Sequence, residues 1–63
     1  MTQKELLYLE DAIGHEHVLI NICRDTIEKL EDEDLITFME NELSIHEDTK
    51  HNLINLLEEC CNE

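Results

Sequence analysis

The chain has no proline and no tryptophan, and only one glycine, one tyrosine and one phenylalanine among its 63 residues. This scarcity of turn-forming and aromatic residues gives sheets and long loops little support and favours helices. Basic residues are scarce as well: four lysines and arginines stand against 17 acidic residues, giving a formal charge of −13. Such a charge disfavours nucleic acids and anionic membranes as partners, and it favours cations or a basic protein.

Long hydrophobic runs are also missing, so no transmembrane segment is expected. Glu10 and Asp11 interrupt the apolar residues of the N-terminal segment, which therefore does not resemble a signal peptide. We expect a cytoplasmic protein that is not secreted. Three cysteines exclude a complete intrachain disulfide framework. Cys60 and Cys61 are adjacent near the end of the chain, where they either cross-link chains under oxidising conditions or remain unreactive thiols.

Two amphipathic helices are predicted. Thr2 followed by Glu5 matches a capping box, so helix one should run from about residue 3 to about residue 31. Its apolar residues recur at intervals of three and four. Asp32 is a good N-cap for helix two, which is predicted over about 33–59.

The connection between the helices is short enough to require an antiparallel hairpin, with residues 1–63 forming one domain. A single hairpin cannot enclose the wide apolar arc on each helix, and so small a chain often depends on a metal or on self-association. We therefore predict an all-α fold in which two hairpins form a homodimeric four-helix bundle or a larger assembly.

Three polar residues lie near the centres of these apolar arcs: Glu16 on helix one, and Glu42 and His46 on helix two. The arc of helix two is predicted to centre on Leu35 and Leu53, with Glu42 and His46 about 20° to either side. A carboxylate at such a position is costly to bury unless a partner neutralises it. Counted from the turn, Glu16 and His46 lie at nearly the same height, and Glu42 is one turn closer to the connection.

Carboxylates and an imidazole from neighbouring helices are the ligand set of metal sites in helical bundles. We predict that Glu16, Glu42 and His46 of each chain bind one or two transition-metal ions, with mixed O and N ligands favouring Fe, Mn or Zn. The bundle motif usually spaces Glu and His by three residues, whereas here the spacing is four. The alternative is a buried hydrogen-bonded pair of Glu16 and His46 that fixes the helix register without metal.

Four further polar residues are expected around the same site, as outer ligands or at its rim. They are Glu10, His15, His17 and Thr49. His51 projects to the polar face of helix two and is expected to be a solvated surface histidine. An oxidase-type activity has no support in the sequence beyond the metal ligands themselves.

The run LLYLEDAIGHEHVL, a following cysteine and acidic turn, and a second helix with an internal histidine before NLINLLEE resemble the small spore coat F-like proteins of endospore-forming bacteria. The resemblance covers most of residues 4–58. It implies a ferritin-like helical protein of the mother cell, associated with the spore coat and its other proteins in a structural role. Glu16 and His46 match the family's pattern, whereas Glu42 is selected by its helical position alone.

Overall fold

A computed structural model describes residues 1–61, with side chains placed through residue 60. It contains two helices, α1 (Gln3–Lys29) and α2 (Glu33–Cys61), which contact each other along their length as an antiparallel hairpin of 47 × 15 × 11 Å. The predicted helical hairpin is thus confirmed. The predicted helix starts agree with these bounds, and the predicted ends differ by two residues. No helix in this described part of the chain is long and apolar enough to span a membrane.

Side-chain caps fix where both helices begin. The Thr2 hydroxyl accepts the Glu5 N–H at 3.1 Å, and the Glu5 carboxylate accepts the Thr2 N–H at 3.0 Å, which completes the predicted capping box. The hydrogen bond from the Thr2 N–H to the carboxylate is the largest cause that lowers the pKa of Glu5 below its usual 4.5, and the Thr2 side chain adds to it. Asp32 caps α2, since its Oδ1 accepts the N–H groups of Asp34 at 2.9 Å and Leu35 at 3.0 Å.

The two helices meet along one stripe of each, which we call the seam. Its members are all buried or partly buried, and they recur at alternating intervals of three and four, the pattern of a coiled coil. They are Leu6, Leu9, Ile13, Glu16, Ile20, Cys23, Ile27 and Leu30 from the first half of the chain, and Ile36, Met39, Leu43, His46, Lys50, Leu53, Leu57 and Cys60 from the second. Among residues 1–60 only Ile20 and Cys23 are buried, at 4% and 6% exposure, so the seam alone does not form a closed core.

The predicted centre of the helix-two arc is wrong in one respect. Leu53 lies in the seam, but Leu35 is 52% exposed and Ile36 occupies the seam position beside it. The apolar arc of α2 consists of two neighbouring stripes, and only one of them faces α1. A projection of the whole arc therefore gives a centre between the stripes rather than on the seam.

The second stripe flanks the seam on each helix, and its large apolar residues lie three, seven or eleven residues apart, which keeps them on one flank. Its large apolar residues are exposed. We call this surface the apolar side and define it by Tyr8, Leu19, Ile22, Leu35, Phe38, Ile45 and Leu56. The opposite flank, the polar side, carries contacts between the helices, including Arg24 with Glu47 and His17 with Lys50. These contacts place the polar flanks of α1 and α2 on the same side of the hairpin. The exposed apolar stripes of the two helices therefore lie together on the opposite side.

The hairpin exposes more surface than a compact protein of its mass. Its accessible area is 4961 Å² at 7.5 kDa, whereas the scaling for compact monomers gives about 4200 Å². The excess is consistent with two helices that are covered on one stripe only.

Candidate functional site

Glu16 and His46 form a direct contact across the seam. His46 Nδ1 lies 2.6 Å from Glu16 Oε2, and the two side chains are mostly buried, at 24% exposure for His46 and 17% for Glu16. This contact confirms the predicted common height of the two residues. Glu16 precedes Leu19 by three residues and His46 follows Glu42 by four, so both lie at the edge of the seam toward the apolar side.

The direction of this hydrogen bond determines what else the imidazole can bind. A carboxylate oxygen accepts, so Nδ1 of His46 carries the hydrogen. In the neutral ring, Nε2 then keeps a lone pair that can bind a metal ion or accept a hydrogen bond. Metal-binding histidines commonly donate their other ring N–H to a carboxylate, which fixes the orientation of the ring.

Glu42 is held separately from this pair. It lies one turn before His46 and is partly buried on the apolar side, where Phe38 precedes it by four residues and Ile45 follows it by three. Within residues 1–60 no hydrogen bond reaches its carboxylate from another side chain. The described part of one chain likewise holds no group of three His, Cys, Asp or Glu residues placed to bind a metal ion. The structure thus joins two of the three predicted ligands and leaves the third beside them.

The predicted rim residues are spread over different surfaces. Glu10 and His15 are exposed, and His15 borders a shallow depression on α1. The Thr49 hydroxyl donates to the Ile45 carbonyl oxygen at 2.9 Å, so it is engaged with its own helix. His17 lies on the polar side, away from the Glu16–His46 pair, and contacts Lys50 there.

The polar side contains a cluster that the sequence interpretation missed. Lys50 Nζ lies 3.0 Å from His17 Nδ1, and Arg24 Nη2 lies 3.5 Å from Glu47 Oε2. A cavity of about 260 Å³ lies among these side chains, and its lining consists of His17, Ile20, Arg24, Glu47, Lys50, His51 and Ile54. The signal was available in the sequence, because Lys50 continues the spacing of the seam between His46 and Leu53.

The cysteines occupy two environments. Cys23 is a buried free thiol in the seam, where it packs as a small apolar residue. Cys60 is a partly buried free thiol near the start of α1, in a depression bordered by Thr2 and Leu6. Cys61 ends α2, but its side chain lies outside the described residues. Cross-linking through Cys60 and Cys61 stays a prediction.

In comparisons with known proteins, no family model, curated protein or solved structure matches the chain. The resemblance to spore coat F-like proteins therefore rests on the quoted sequence segments alone.

Proposed function

We propose that the protein is a homodimeric, ferritin-like four-helix bundle that binds one or two Fe, Mn or Zn ions through Glu16, Glu42 and His46 of both chains. The observation that carries this proposal is the hydrogen-bonded pair of Glu16 and His46 next to an uncovered apolar side. A second copy packed on that side would bring two such pairs together around one axis.

The surface of the hairpin supports the dimer. Seven large apolar residues on one side keep between 38% and 60% of their surface exposed, which is the pattern of an unsatisfied interface. Covering this side would also remove Glu42 from water on each chain. A desolvated carboxylate requires a counter-charge. A cation shared between the two chains supplies it, on a protein that otherwise carries a formal charge of −13.

In the proposed site each of the three residues has its own role. His46 offers Nε2 to the metal because Nδ1 is occupied by Glu16. Glu42 offers a carboxylate that has no partner in the described residues. Glu16 orients the imidazole with one oxygen and keeps the other for coordination. A spacing of four residues between Glu42 and His46 also suits metal binding, as in helical H-E-x-x-H sites.

Metal analysis of protein purified without an affinity tag tests the proposal. After incubation with Fe²⁺, Mn²⁺ or Zn²⁺ and removal of free metal, we expect a fixed ratio of one or two ions per dimer. A metal at 100 times its Kd should stabilise the native state by about 2.7 kcal/mol. His46→Ala should lose both effects. The matched control is His51→Ala, which removes an exposed imidazole on the polar side.

Two results would refute metal binding: no stoichiometric metal in the untagged protein, or equal loss of metal in the two histidine variants. The first result would favour a structural role, which the observed pair also supports because Glu16 and His46 already satisfy each other without metal. In that case the protein acts through self-association, with cross-links through Cys60 and Cys61 and a place in the spore coat. Dimers would then persist unchanged in the presence of a chelator.

A further inference from the structure

We propose that the polar side binds a small phosphate-bearing ligand in the cavity between His17, Arg24, Lys50 and His51. This site is separate from the proposed metal site, which lies toward the apolar side. It does not depend on metal binding or on the dimer.

The first support is the concentration of positive charge. The whole chain has four lysines and arginines and four histidines. Half of each group lines this one cavity, namely Arg24, Lys50, His17 and His51. The lining contains a single carboxylate, that of Glu47. The remaining 16 of the 17 acidic residues lie elsewhere in the chain. With the histidines counted as neutral, Arg24 and Lys50 against Glu47 leave the lining with one net positive charge, on a protein whose formal charge is −13. Such a local excess of positive charge favours an anion at this place.

The second support is the state of Lys50. It is partly buried at a seam position that an apolar residue would normally occupy. Its ammonium group donates to His17 Nδ1, an acceptor that is uncharged in the neutral ring, so this contact does not neutralise it. Within residues 1–60 there are two ion pairs, and neither includes Lys50. An ammonium group without a carboxylate partner can form a charge-assisted hydrogen bond with an anion that reaches it.

Arg24 supplies the donor that distinguishes phosphate from simpler anions. It meets Glu47 through one nitrogen at 3.5 Å, and the two side chains are about half exposed, at 57% and 48%. An exposed pair with this geometry contributes little. The other N–H groups of the guanidinium can therefore turn toward the cavity, where the fork of donors matches the oxygens of a phosphate group.

The size of the cavity and the charge of the chain limit the ligand. The cavity is open to solvent, and its volume of about 260 Å³ is below the roughly 300–1,000 Å³ of most small-molecule pockets. It suits inorganic phosphate or a small phosphate monoester. A nucleic acid is disfavoured because a polyanion would extend over the acidic surface beyond the cavity.

The test is a titration of the ¹⁵N-labelled full chain with inorganic phosphate and, in a second arm, with glycerol phosphate. Sodium chloride at matched ionic strength is the reference. We expect saturable shifts at His17, Arg24, Lys50 and His51 with a Kd on the order of 1 mM. Tighter binding of glycerol phosphate would identify an ester as the ligand class, and equal or tighter binding of inorganic phosphate would identify the free ion.

Variants make the assignment specific. Lys50→Gln and Arg24→Gln should each weaken binding about tenfold, the effect of losing one charged hydrogen bond. Lys4→Gln is the control, because it makes the same charge change at an exposed site near Tyr8. Arg24→Gln alters only a half-exposed side chain, so it keeps the test valid if Lys50→Gln disturbs folding. Shifts that sodium chloride reproduces, or equal affinity in all three variants, would overturn the proposal.

Discussion

Truncation of Ile45 to alanine tests whether the apolar side forms the interface of the proposed dimer. Ile45 keeps 56% of its surface exposed in the hairpin. Full burial of an isoleucine contributes about 1.5–3 kcal/mol, so covering the exposed part contributes about 1–1.5 kcal/mol per chain. A symmetric dimer buries two copies, and Ile45→Ala should therefore weaken it by about 2–3 kcal/mol. This corresponds to a Kd increased about 30- to 150-fold.

The measurement is sedimentation equilibrium over a range of protein concentrations, with circular dichroism to monitor helix content. Alanine has a higher helix propensity than isoleucine, so the hairpin itself should keep its helicity. Leu7→Ala is the matched control, because Leu7 is 55% exposed but lies outside both the seam and the apolar side. A wild-type protein that stays monomeric at all concentrations would refute the dimer. Equal weakening by the two variants would refute the assignment of the interface to the apolar side.

Three further changes test the remaining parts of the structure. In metal-free protein, Glu16→Leu or His46→Leu alone should destabilise the fold by about 1–3 kcal/mol, because a mostly buried partner is left unpaired. The double variant should recover wild-type stability in urea unfolding, and equal costs for the single and double variants would contradict this. Asp32→Ala should lower the free energy of unfolding by about 1 kcal/mol through loss of the α2 cap, and an unchanged urea midpoint would show that this cap is dispensable. Because the hydrogen bonds with Thr2 lower the pKa of Glu5 in the folded state, the capping box should stabilise the start of α1 at neutral pH and lose this effect as pH falls through that lowered value. The protection of amides near Thr2 against hydrogen exchange, relative to an unfolded chain at the same pH, should show this pH dependence in the wild type and not in Glu5→Gln.

Much of the site could be predicted from spacing because helical geometry converts residue number into direction and height. Glu16 and His46 are far apart in sequence, yet counting from the turn placed them at one level, and the structure joins them at 2.6 Å. Spacing could not show which imidazole nitrogen faces Glu16 or that Glu42 stands apart from the pair. The place of Glu42 depends on which side of the seam its side chain occupies, and the offset of about 40° between residues four apart on a helix decides it.

The sequence by itself determined the two helices, their caps at Thr2 and Asp32, and the hairpin. These features depend on local spacing, short-range hydrogen bonds and the absence of residues that stop a helix. Only the tertiary structure decided which apolar stripe of α2 faces α1, and therefore that Leu35 is exposed while Lys50 enters the seam. The reason is physical: both stripes are apolar enough to be buried, and only the packing of one helix against the other selects between them.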